Sequence, residues 1–281
     1  MKTILSLMTS LLFCFMTVSQ GQTKPKLVWA DEFNEDSLDY SKWGVEENAY
    51  GGGNNEQQIY RWDKKNLRVE DGHLVIEAHK DNPNVAGTTR PYSSARIRSK
   101  HRGDWKYCRV DVRAKLPIGK GMWPAIWMLP STKLPWPYGG EIDLMEARGR
   151  VPQAIGTAIH FANSNNSNQY ISHEVTVTMN VNFQDKFHSI TFKWIEDVIE
   201  MYLDTNSEPF YSEGKNSTPF NNANYPFNEE FYLLLNVASG GNFDSNQIDP
   251  TKYCNNQQCT NLSDPDRGRF VIDYIEIKSI D

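Results

Sequence analysis

Three carboxylates, Glu141, Asp143 and Glu146, fall within six residues whose other members are Ile142, Leu144 and Met145. An apolar run has no structural need for three acids, and burying one is costly unless it is paired or put to use. Crowded carboxyl groups suit acid–base and nucleophilic work. Their mutual repulsion holds one proton to higher pH, so one group is ionised while its neighbour remains an acid. That division matches glycosidic-bond cleavage, in which one carboxylate attacks and one carboxylic acid protonates the departing oxygen. On spacing alone, a solvated acidic strand face stays an open alternative.

The run has to be a strand for the three to work together. Alternation sends Glu141 and Asp143 to one face and Glu146 to the other. One extra residue after Asp143, a β-bulge, returns Glu146 to the first face. The Cα atoms of Glu141 and Glu146 would then lie on the order of 13–16 Å apart at about 3.3 Å per residue. Leaning side chains close much of that gap toward the roughly 5–5.5 Å that a retaining glycosidase needs.

The rest of the chain supplies strands for such a sheet. Cys108, Val110, Val112 and Ala114 alternate with Arg109, Asp111 and Arg113; His188, Ile190, Phe192 and Trp194 repeat the period, as do Ile199, Met201 and Leu203. The 74–78 and 231–238 segments are continuous apolar runs, as expected of strands packed on both sides. No apolar period of 3.6 residues persists over three turns. The expected class is all-β, a sandwich of two antiparallel sheets.

Of the 281 residues, 1–21 read as a secretory signal peptide. Lys2 precedes the apolar run Ile4 to Val18, and Ser19-Gln20-Gly21 offers small residues where a peptidase would cut. Residues 22–281 then form one catalytic domain, exported to the periplasm or the medium. The net charge is −6, or −7 without Lys2. A mildly acidic chain with no basic run suits neither nucleic acid nor an anionic membrane, and a neutral substrate fits it better. Cys254 and Cys259 are expected to pair in an oxidising compartment, leaving Cys108 as a buried thiol. No CxxC pair, HExxH, GxSxG or phosphate-binding glycine loop occurs.

Glu-Ile-Asp-Leu-Met-Glu at 141–146 resembles the E-x-D-x-x-E signature of the bulged branch of glycoside hydrolase family 16. Gly-Met-Trp-Pro-Ala-Ile-Trp-Met-Leu-Pro at 121–130 is similar to the corresponding laminarinase segment. Leu-Val-Trp-Ala-Asp-Glu-Phe at 27–33, Ser-Ala-Arg-Ile at 94–97 and Asn-Val-Ala-Ser-Gly-Gly-Asn at 236–242 match that family in order. The resemblance implies a β-jelly-roll with a sugar cleft on its concave face. It also implies Glu141 as nucleophile, Asp143 as its partner and Glu146 as acid/base. The activity implied is a retaining endo-β-1,3-glucanase acting on laminarin-like glucan as a monomer. Mixed-linkage β-1,3-1,4-glucanase activity and a non-catalytic glucan-binding role are the alternatives.

The same resemblance puts Trp123 and Trp127 in the cleft as sugar-stacking faces, with core packing as the competing reading. It gives Asn55 contacts to sugar hydroxyls, places Arg96 in the cleft or in a structural ion pair, sets His160 near the acid/base and adds Asn236 as a weaker candidate. Catalysis needs no cofactor. A structural Ca2+ is implied away from the cleft, at the backbone oxygens of Glu32 and Gly72 and at Asp273, an all-oxygen set suited to a hard cation.

Overall fold

The computed structural model of the chain describes residues 25–162, 168–176, 182–217, 225–255, 259 and 268–280. The proposed signal segment, 1–21, lies outside them. Two large antiparallel sheets carry the fold, as the sequence pattern indicates. The outer sheet runs Tyr211–Gly214, Val198–Leu203, His188–Ile195, Cys108–Lys115, Arg269–Ser279, His73–Glu77, Leu67–Glu70, with Leu27–Asp31 also on Arg269–Ser279. The cleft sheet runs Asn168–Thr176, Ala154–Ala162, Glu141–Glu146, Met122–Pro130, Phe231–Ser239, Arg96–Arg98, Gly44–Val45, with Asp104–Trp105 also on Phe231–Ser239.

Alternation decides which side chains meet between the sheets. Val110, Val112, Phe192, Trp194, Ile199 and Met201 of the outer sheet share one buried core with Ile126, Met128, Ile142, Leu233 and Leu235 of the cleft sheet. At about 25 cal/mol per Å2 of apolar surface removed from water, such side chains each contribute roughly 1.5–3 kcal/mol. All nine residues of Phe231–Ser239 are buried. Its odd positions Phe231, Leu233, Leu235 and Val237 join the core, which turns Tyr232, Leu234, Asn236 and Ala238 to the opposite face, the floor of the cleft.

Two of the bulges that break the alternation matter here. In Arg269–Ser279, Arg113 pairs with Tyr274 but Ala114 with Ile272, so Asp273 is the extra residue. Ile272 and Ile275, three apart, both reach the core as a result. The second bulge lies in the acidic strand.

Candidate active site

In Glu141–Glu146, Asp143 sits opposite Trp127, while Met145 sits opposite Ile126. Leu144 is therefore the inserted residue. On the other side Asp143 faces Ala158 and Glu146 faces Gly156, with the same one-residue shift. The strand accepts the insertion because Ile142, Leu144 and Met145 are all 0% exposed members of the core. Two adjacent apolar residues turned inward leave Glu141, Asp143 and Glu146 on the cleft face. Gly140 leads into the strand at φ 84°, in the left-handed region, with Pro226 and Phe227 too close for a Cβ.

His160 pairs in register with Glu141. Its Nε2 lies 3.2 Å from Asp143 Oδ2 and 4.0 Å from Glu141 Oε1. The imidazole thus sits against Glu141 and Asp143, and its charge also reaches Glu146, in keeping with its expected place near the acid/base. The residue beside Glu146 is Trp123, whose Nε1 donates to Glu146 Oε1 at 2.8 Å. Phe243 stacks on the Trp123 ring with centroids 4.6 Å apart, and the Arg148 guanidinium lies 3.9 Å from the Phe243 centroid. Trp123 is 9% exposed. One of its faces is therefore covered and its N–H used, which makes it a buried wall that positions Glu146 more than an open stacking platform.

Trp127 is half-buried. Its Nε1 donates to Asn236 Oδ1 at 2.8 Å, and the Arg96 guanidinium lies 4.5 Å from its ring centroid. Arg96 meets both of its expected environments at once. It stands in the cross-strand row with Asn236 and Ala125 and is also ion-paired to Glu46, 3.3 Å away, while Nη1 donates to the Tyr50 hydroxyl at 3.2 Å. Asn55 is exposed at φ 59° and donates from Nδ2 to Asn242 Oδ1 at 3.0 Å. The Gly51–Gly53 turn and the 240–244 turn are zipped together there, through Asn242 N–H to Asn54 O and a Glu56–Gly240 bridge. Gly241 passes so close to Trp123 that a Cβ would lie 3.1 Å from the indole.

Sequence reasoning missed Phe243, Arg148 and Glu56. Glu56 is 5% exposed and accepts from Gln58 Nε2 at 2.6 Å and from the Tyr60 hydroxyl at 3.3 Å. Its signal is the Gly-Asn-Asn-Glu run at 53–56, which also carries Asn55. Phe243 and Arg148 stand beside recognised motifs, with nothing in their own spacing to mark them.

Residues 29–254 match the family model for glycosyl hydrolases family 16. The chain belongs to that family. It is 40% identical over 237 residues to glucan endo-1,3-beta-glucosidase A1 of Niallia circulans, an alignment covering 78% of this chain but only 34% of that much longer relative. It is 30% identical to the beta-glucanase of Rhodothermus marinus, over 96% of this chain and 92% of the relative. The solved laminarinase catalytic domain of Thermotoga maritima superposes with a TM-score of 0.79 at 30% identity, covering 92% of this chain and 99% of that one. The chain is therefore a family 16 glycoside hydrolase with the jelly-roll architecture of its solved relatives.

In this family 16 hydrolase the three acids are crowded and poorly solvated. Burial, then Asp143, pushes Glu141 up to about 8. Burial and Glu146 hold Asp143 well above its ordinary value. Burial also raises Glu146, against the Trp123 hydrogen bond and the His160 and Arg148 charges, which pull it down. All three are thus held toward their protonated forms. A proton resting on Asp143 removes the neighbouring charge that most opposes ionisation of Glu141.

Of the groups implied to hold Ca2+, one is already engaged. The Asp273 carboxylate is paired with Arg113 and lies 3.6 Å from His73 Nε2, so a cation there would compete with a guanidinium. Cys254 and Cys259 form a disulfide, with Cα atoms 4.6 Å apart. Cys108 is a buried thiol pushed up to about 12 by desolvation.

Proposed function

We propose that this hydrolase cuts β-1,3-glucosidic bonds inside β-glucan by double displacement. Glu141 is the nucleophile and Glu146 the acid/base. Glu146 protonates the glycosidic oxygen as the Glu141 carboxylate attacks the anomeric carbon. Glu146 then takes a proton from the water that releases the glycosyl-enzyme. Asp143 and His160 manage the proton and charge beside Glu141, while Arg96, Trp127, Asn236 and Asn55 meet the sugars. The observation that carries this reading is the Leu144 bulge, which sets all three acids on one cleft face. The names of the Niallia and Thermotoga relatives support the linkage. The Rhodothermus relative is named without one, which keeps mixed-linkage cleavage as the second reading. Export directed by residues 1–21, and a monomer in solution, are proposed on the sequence alone.

Digestion of laminarin, lichenan, agarose and carrageenan with product analysis tests the substrate. Laminarin should yield a ladder of β-1,3-oligosaccharides and agarose nothing. Release of glucose alone would overturn internal cleavage, and attack on lichenan with laminarin untouched would overturn the linkage.

A further inference from the structure

Away from the cleft, four side chains with metal-ligating atoms converge where Cys254 and Cys259 meet the outer sheet. Glu77 ends the His73–Glu77 strand, and His79 begins the short strand that follows. Cys254 bridges to His79 through the backbone, Lys80 N–H donating to its carbonyl at 2.7 Å. Glu77, His79, Cys254 and Cys259 each offer a ligand atom, all within 4.8 Å of one another, and none is more than 1% exposed. Glu77 Oε2 lies 3.1 Å from His79 Nε2 and 3.4 Å from Cys259 Sγ. Its other oxygen, Oε1, is held by Arg68 at 2.6 Å and Arg269 at 2.7 Å.

A disulfide has no use for such company. It is neutral and apolar, so the buried carboxylate and imidazole beside it take their partners from Arg68, Arg269 and the Lys65 carbonyl instead. A zinc ion is different. Tetrahedral Zn2+ with N, O and S ligands at about 2.0–2.3 Å has ligand-to-ligand edges of roughly 3.3–3.8 Å. The two edges at Glu77 Oε2 already come near that range. Arg68 and Arg269 orient the carboxylate by its far oxygen, the arrangement expected of residues that support a ligand.

We propose that, once Cys254 and Cys259 are reduced, the chain binds one Zn2+ through Glu77, His79, Cys254 and Cys259, making the metal and the disulfide alternative links between the same two cysteines. A dithiol supplies the two electrons. The S–S bond breaks, the dithiol closes to its own cyclic disulfide, and its two protons leave both cysteines as thiols. Zn2+ then takes two thiolates, the Glu77 carboxylate and His79 Nε2, and the two cysteine protons go to solvent. For Nε2 to ligate, the imidazole proton sits on Nδ1, giving up the present 3.0 Å contact of Nε2 with the Lys65 carbonyl.

The test reduces the whole chain with a dithiol, removes the reductant anaerobically and titrates Zn2+ and Co2+ into it. The Cys254→Ser/Cys259→Ser double variant serves as the control and cancels any contribution from other thiols. One Zn2+ per reduced chain is expected, bound at least about tenfold more tightly than by the double variant and weakened as much by His79→Ala. Co2+ should show a thiolate charge-transfer band, which a metal on Glu141, Asp143 and His160 of the cleft cannot give. Should reduction unfold the chain, recovery of its β circular dichroism on adding Zn2+ supports the site, and failure to recover overturns it. Zinc uptake no greater than the double variant's, or Co2+ without the thiolate band, also overturns it.

Discussion

Trp123 ties the cleft wall to the chemistry. Its indole N–H favours the ionised form of Glu146, so removing that donor should raise the Glu146 pKa. Trp123→Phe keeps an aromatic ring against Phe243 and removes the hydrogen-bond donor. If Glu146 acts as the acid, the basic limb of the kcat/KM profile reports its loss of a proton. The limb should then move to higher pH by about one unit, the size of a charged hydrogen bond. An unmoved limb would remove Trp123 from the tuning of Glu146. At this scale the sequence was informative about residue types and less so about neighbours. The two tryptophans, Arg96, Asn236 and His160 all line the acidic cleft. Their partners come from far along the chain, as Phe243 does for Trp123 and Asn236 for Trp127, and periodicity carries no information about such pairs.

The bulge is the element on which the site depends. Deleting Leu144 restores strict alternation with Glu141, Asp143 and Glu146 still on the cleft face, but brings Glu146 one residue closer to Asp143 and takes one buried leucine from the core. The deletion should cut hydrolysis by on the order of 100-fold, because the acid is displaced from its working distance to Glu141, and should lower the melting temperature through the lost core leucine. Leu144→Ala keeps the insertion and leaves only a cavity. It should lose about 2–5 kcal/mol of stability while the folded enzyme turns over substrate at close to the wild-type rate. Denaturant unfolding beside laminarin hydrolysis separates the two, and equal loss of activity in both variants would contradict this role for the bulge. The bulge after Asp143 was legible because three acids cannot otherwise share a face. The bulge at Asp273 was not. Its segment reads as plain alternation, and only the pairing of Arg113 and Ala114 across the sheet exposes the extra residue. That pairing also commits Asp273 to Arg113, a partner 160 residues away that the expected cation set had left out.

For the molecule as a whole, the crowded acids set activity against stability. Glu141 lies near 4.5 when unfolded and about 8 when folded, so folding favours its protonated form. Its contribution to stability is complete below pH 4.5 and is lost as pH rises toward 8. Glu141→Gln cannot ionise and escapes that loss. Inactive though it should be, the variant should match wild type near pH 4 and be more stable at pH 8, by about 1 kcal/mol or more, a rise of roughly 2–4 °C. Thermal melts across that range check it, and a gap that widens toward acid would contradict the sign. The sandwich itself was open to prediction because period-two patterning fixes which faces meet. The order of strands was not, since Cys108–Lys115 pairs with Arg269–Ser279 across more than half the chain.

The division of labour between Glu141 and Glu146 is tested most directly by azide. Glu141→Gly and Glu146→Gly should each be nearly inactive on a β-glucoside with a good leaving group. Azide added to Glu141→Gly should restore turnover and give the α-glycosyl azide, because the anion enters where the carboxylate stood. Added to Glu146→Gly it should give the β-glycosyl azide, because the glycosyl-enzyme on Glu141 still forms first. The opposite pairing of variant and anomer would contradict the assignment.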